Sequence, residues 1–147
     1  MQAPSGPRVA RATVKPHKEF CMPIEIVREE QCVLATYRGE VSHEGIVDSY
    51  RRIEGDRRFD ELRCSIIDLR ELSPAVPDAH LLEEIAAENW AASASNRRLT
   101  TAVVARHSAI IDAVQRYQTF MPEPRHIPDV LVCASVDEAR QALGLSP

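Results

Sequence analysis

A chain of 147 residues, 44% hydrophobic and 27% charged with a formal net charge of −4, has the size and composition of one globular domain. Collagen-like, low-complexity and wholly disordered classes are excluded, and the apolar runs fall far short of the roughly 20 residues a membrane helix needs. The acidic balance argues against duplex DNA or an anionic membrane as partner, because both are held by an excess of Lys and Arg.

Residues 1–21 contain Pro4, Pro7 and Pro16, carry +3 through Arg8, Arg11, Lys15 and Lys18 against Glu19, and show no apolar period. They read as a disordered basic tail, with a single domain expected over 22–147. Met22 is a candidate initiator for that domain, and the acid-poor tail also has the character of a targeting segment. Without an apolar core to the early basic stretch there is no secretory signal, and a cytoplasmic location is expected.

Within the domain, Pro23–Glu29 and Cys32–Arg38 predict a β-hairpin across Glu29-Glu30-Gln31. Gly39 closes its second strand and Ser42 caps a helix whose apolar face is Ile46, Tyr50 and Ile53, ending at Gly55-Asp56. Cys64–Leu69, nearly continuous and apolar, reads as a central strand covered on both faces. After the loop Arg70–Val76, Pro77 opens a helix from about Asp78 to Asn96. That helix is expected to bury Leu81, Leu82, Ile85, Ala86 and Ala92, with Glu83, Glu84 and Glu88 facing outwards. Thr100–Ala105 is a further strand. Ser108 caps the next helix, built on Ile110, Ile111, Val114, Tyr117 and Met121 and stopped by Pro122 and Pro124. Asp129–Ala134 is the last strand. Ser135-Val136-Asp137-Glu138 spells a capping box, in which Glu138 returns to the Ser135 amide. The closing helix buries Val136, Ala139 and Leu143 and stops at Gly144. The order β-β-α-β-α-β-α-β-α predicts an α/β fold: a five-stranded, mostly parallel sheet with one antiparallel strand and four helices.

Few residues carry chemistry. Cys21, Cys32, Cys64 and Cys133 are dispersed, and the last three sit in expected strands, so they read as buried free thiols and not as a disulfide or zinc framework. No glycine-rich phosphate loop or nucleophile elbow is present. His43, His80, His107 and His126 lack helical metal spacing, and the pair His107-Ser108 reads as a helix cap. No cofactor, metal ligand or catalytic residue is assigned. Asp68 and Arg70 leave the third strand on one face, close enough to pair. Asn89 and Ser93 interrupt the long helix's apolar stripe beside Trp90, an arrangement that suits two satisfied core groups or the lining of a small-ligand pocket.

The hairpin start, Ile66-Ile67-Asp68-Leu69-Arg70, Thr101-Ala102-Val103-Val104-Ala105 and Ser135-Val136-Asp137-Glu138-Ala139-Arg140-Gln141-Ala142-Leu143 follow one another in an order and spacing that resembles SpoIIAA-like, STAS-related domains. The resemblance covers residues 22 to about 145. It implies a non-enzymatic regulatory module that binds a protein partner through Asp68, Arg70, Ser73 and Asp78, with a second copy of the chain a further candidate partner. In the anti-anti-sigma members a serine in an Asp-Ser-Ser/Thr-Gly stretch is phosphorylated after the third strand, where added charge at a helix start remodels the docking surface. Here that stretch reads Glu71-Leu72-Ser73-Pro74-Ala75-Val76-Pro77-Asp78, without the motif, and Ser73 reads as a loop serine. The alternative, by analogy with lipid-carrying relatives of the fold, is a carrier of a small apolar ligand with Asn89, Trp90 and Ser93 in its pocket.

Overall fold

The computed structural model describes residues 23–73, 78–122 and 129–145. The expected tail therefore lies outside the described residues, as do Pro77, Pro124 and His126. Strand β1 (Ile24–Glu29) pairs antiparallel with β2 (Cys32–Gly39), Ile24 opposite Tyr37 and Glu29 opposite Cys32. Glu30 makes the turn at φ 48°, the left-handed region that non-glycine residues rarely take. Beyond the hairpin, helix α1 (His43–Glu54), strand β3 (Cys64–Leu72), helix α2 (Ala79–Ser93), strand β4 (Thr100–Val104), helix α3 (Ser108–Thr119), strand β5 (Leu131–Cys133) and helix α4 (Val136–Ala142) follow in turn. The sheet order is β1-β2-β3-β4-β5, parallel from β2 onwards, with Cys32 beside Cys64, Ile67 beside Val103 and Val104 beside Cys133. This is the expected α/β architecture, strand for strand and helix for helix.

The period of two along each strand sorts the side chains onto two faces. Val33, Ala35, Tyr37, Ile67 and Val103 pack with residues of α1 and α3, the core on the three-helix side. Cys32, Cys64, Ile66, Ala102, Val104 and Cys133 point the other way and meet Ala139 of α4. The central strand is thus buried on both faces, which is why its sequence shows no polar alternation.

Helix starts follow local hydrogen bonding. Ser42 Oγ accepts from the Gly45 amide at 3.0 Å, Asp78 Oδ1 from Leu81 at 2.8 Å and Ser135 Oγ from Glu138 at 3.0 Å. Two expected caps differ. His107, not Ser108, caps α3, its Nδ1 accepting from Ala109 at 3.2 Å, and Ser108 is the first helical residue. Glu138 accepts from the Ala134 amide at 3.0 Å instead of from Ser135, one residue further back than a capping box requires. Helix α2 stops at Ser93, short of Asn96, whose side chain donates to the Phe59 and Leu62 carbonyls, both at 2.8 Å. Strand β5 is shorter than expected: three residues, with Leu131 and Val132 exposed at the sheet edge. Gly39 and Gly144 end β2 and the α4 turn at φ 66° and 76°, where a side chain would be strained.

Cys32, Cys64 and Cys133 are buried and free. The hydrogen bond to Cys64, with burial, holds the Cys32 thiol well above its ordinary range, and burial raises Cys133. In a Cys21→Ser variant, these three thiols are expected to resist an aromatic disulfide reagent under native conditions and to react together on unfolding. Fast native labelling of any of them would show the α4 face to be open.

Candidate functional site

Two places in the fold are candidate sites. The first is the C-terminal edge of β2 and β3. Asp68, only 6% exposed, accepts from Arg70 Nε at 2.9 Å, from Arg70 Nη2 at 2.8 Å and from the Arg70 amide at 3.1 Å. Burial is the largest influence on Asp68 and pushes its carboxyl up, but the Arg70 side chain and amide together more than offset it and leave the group below its usual range. Alongside, Arg38 bonds Glu71 at 3.1 Å and Glu25 at 3.2 Å, so five charged side chains from three neighbouring strands share one polar edge. Asp137 at the start of α4 also acts on Arg70. Asp68 and Arg70 are therefore brought together as their spacing predicts. Ser73 and Asp78 take other partners: the Ser73 amide donates to the Gly39 carbonyl at 2.9 Å, and Asp78 caps α2. The four residues between these two lie outside the described part of the chain.

The second place is a cavity of about 140 Å³ between the three-helix face of the sheet and helices α1, α2 and α3. Its floor is Ser65, Ile67 and Leu69 of β3 with Thr101 and Val103 of β4, and its roof includes Ile46, Tyr50, Ile53 and Glu54 of α1. From α2 come Leu81, Leu82, Ile85, Asn89 and Ser93, and from α3 Ile110, Val114 and Tyr117. Asn89 and Ser93 thus line it as the polar interruptions of the α2 stripe suggest, whereas the walls do not include Trp90. The Trp90 carbonyl accepts from the Ser93 hydroxyl at 2.6 Å. Asn89 donates to the Tyr117 hydroxyl at 2.7 Å, and Ser65 and Thr101 share a hydroxyl bond of 2.8 Å. Ser49 donates to the Ile46 carbonyl, so the 2.6 Å contact between Tyr37 and Ser49 is a bond donated by Tyr37.

A hydrogen bond and an ion pair join α1 to α2. His43 Nε2 meets Glu84 at 2.7 Å, and Arg51 meets Glu88 at 3.0 Å, so Glu84 and Glu88 are half-buried between the helices and do not simply face outwards. Sequence reasoning missed Glu54. A glutamate just before the glycine that ends a helix reads as solvated, yet it lies four residues from Tyr50 and hence on the same face. Burial, with the Glu88 charge added and Arg51 opposing, pushes the Glu54 carboxyl up to about 8. Burial also raises the Tyr50 phenol well above its usual range. Among the described residues, no three His, Cys, Asp or Glu side chains are placed to hold a metal ion, and no helix is long and apolar enough to cross a membrane.

No family model matches the sequence, and no curated protein matches it. Solved structures do match the fold. An anti-sigma factor antagonist from Mycobacterium paratuberculosis superposes with a TM-score of 0.54 at 15% identity, over 82% of this chain and 92% of that one. An uncharacterised member of the DUF3478 family from Shewanella loihica, described as having a SpoIIAA-like fold, gives 0.54 and 15% over 82% and 91%. At that identity the likeness concerns the backbone, and it agrees with the five-stranded sheet, its antiparallel first pair and its four helices. The chain folds as a SpoIIAA-like α/β domain.

Proposed function

We propose that this domain is a non-enzymatic regulatory module that docks a protein partner on the C-terminal edge of β2 and β3, without a phosphorylatable Asp-Ser-Ser/Thr-Gly motif. The charged cluster Glu25, Arg38, Asp68, Arg70 and Glu71 carries the reading, because it lies at the carboxyl ends of parallel strands, where open α/β sheets engage their ligands. The shared fold with a protein described as an anti-sigma factor antagonist supports it by analogy. The proposed surface includes Ser73, whose amide bonds the Gly39 carbonyl at the end of β2, and Asp78 at the start of α2.

A pull-down from native lysate with the paired reversal Arg38→Glu, Glu71→Arg tests this directly. The swap keeps an opposite-charge pair between the two positions while inverting what the edge presents. Recovery of the partner held by the unaltered protein is expected to fall at least tenfold, with the thermal midpoint moved by only a few degrees. Equal recovery would reject the edge as the docking site.

The cavity supports a second reading, a carrier of a small apolar ligand. Its volume of about 140 Å³ approaches the roughly 150 Å³ of an engineered apolar cavity that admits benzene.

A further inference from the structure

The cavity wall holds two polar groups that the fold leaves without a partner. The Tyr50 hydroxyl and the Glu54 carboxyl stand one turn apart on α1, and neither makes a hydrogen bond among the described residues. The other polar side chains of the wall are tied to other side chains or to backbone carbonyls. Tyr50 and Glu54 are half-buried, so a hydroxyl and a carboxyl that line an apolar cavity without a protein partner are free to meet a ligand's polar head.

Charge selects the kind of head. Glu88 on α2 adds a second negative charge near Glu54, while Arg51, the neighbouring cation on α1, is drawn to Glu88 by two hydrogen bonds of 3.0 and 3.1 Å. A carboxylate beside a hydroxyl able to accept, under a net negative field, suits a cation and repels an acid. We propose that the cavity binds a small hydrophobic amine, its ring or chain among the apolar side chains and its ammonium between Glu54 and Tyr50. The proposal rests on the carrier reading and names its ligand class.

Isothermal titration of the full chain with cyclohexylamine, cyclohexanol and cyclohexanecarboxylate at pH 6, 7 and 8 tests it. The amine is expected to bind at least tenfold more tightly than the alcohol at pH 8, and the carboxylate most weakly. The amine's advantage should grow from pH 6 to 8. Glu54 holds its proton up to about 8 and must release it to pair, whereas an alkylammonium stays charged to about 10. In Glu54→Gln the amine-to-alcohol ratio should collapse to within about twofold. A preference absent at every pH, or retained in Glu54→Gln, would overturn the assignment. Binding of cyclohexanol with no preference for the amine removes the ligand class and leaves the carrier reading standing, whereas binding of none of the three removes both.

Discussion

Replacing Arg70 by alanine is expected to lower the unfolding free energy by about 1–3 kcal/mol at pH 7. Asp68 would keep only the backbone amide of residue 70 as a partner, although it is 6% exposed. Breaking a fully buried ion pair costs about 3–5 kcal/mol, because one charge is left uncompensated. Here the Arg70 side chain is 32% exposed, which brings the figure down by solvent screening. The loss has a pH signature. The folded pKa of Asp68 is depressed, so the pair stabilises above the unfolded value of about 3.9 and its contribution fades as pH falls through the folded one. The gap between wild type and Arg70→Ala should therefore be widest at neutral pH and narrow below about 4. Adding Asp68→Asn should recover part of the loss, since it removes the stranded charge. Urea melts at pH 7 and pH 3.5 measure all three effects, and a variant as stable as wild type would show the pair to be ornamental. For the same reason alanine at Asp68 or Arg70 is a poor probe of partner binding, and the swap of Arg38 and Glu71 is the cleaner one.

Glu54→Gln is expected to act in the opposite direction, stabilising the domain by roughly 1–2 kcal/mol at pH 8.5 and hardly at all at pH 5. The folded carboxyl titrates at about 8, raised mainly by burial. A folded pKa above the unfolded one, about 4.3, means that the native state is favoured while the proton stays on. That advantage is complete below the unfolded value and is lost as pH rises through about 8. The direct conversion of such a shift is larger, but the carboxyl is partly solvated and its ionised form is screened. Wild type should lose stability from pH 5 to about 8 and then level off, while the variant stays flat. Parallel profiles would sink the burial argument.

How much of this could be read from the chain depended on how local each cause was. The β3 run around Ile66-Ile67 and the caps at Ser42, Asp78 and Ser135 depend on neighbours within about four residues, and they are legible. The cap of α3 falls on His107, one residue before the expected Ser108, because imidazole is an uncommon cap and the serine beside it carries the commoner signal. Asn96 looked like the tail of a helix, and only folding brings it to the Phe59 and Leu62 carbonyls more than thirty residues away. In the cavity, Asn89 and Ser93 betrayed themselves by interrupting an apolar stripe. Trp90, one residue on from Asn89, is turned about 100° around the helix axis, and proximity in sequence did not place it in the wall. Glu54 is harder to read: its spacing of four from Tyr50 puts it on the apolar face of α1, but a glutamate beside the helix-ending glycine carries the commoner signal of a solvated residue.

The order of strands in the sheet is the order of strands in the chain. Each newly made strand therefore finds its neighbour already in place one hairpin or one crossover back, and none must wait for a segment still unmade. Long-range pairing is what makes parallel sheets slow to form and exposed to aggregation while they do so. In this arrangement the sheet can grow from one edge as the polypeptide emerges during synthesis, with β5 and α4 added last. Transposing β4 ahead of β3, which would preserve every residue and every helix, would remove that directional growth.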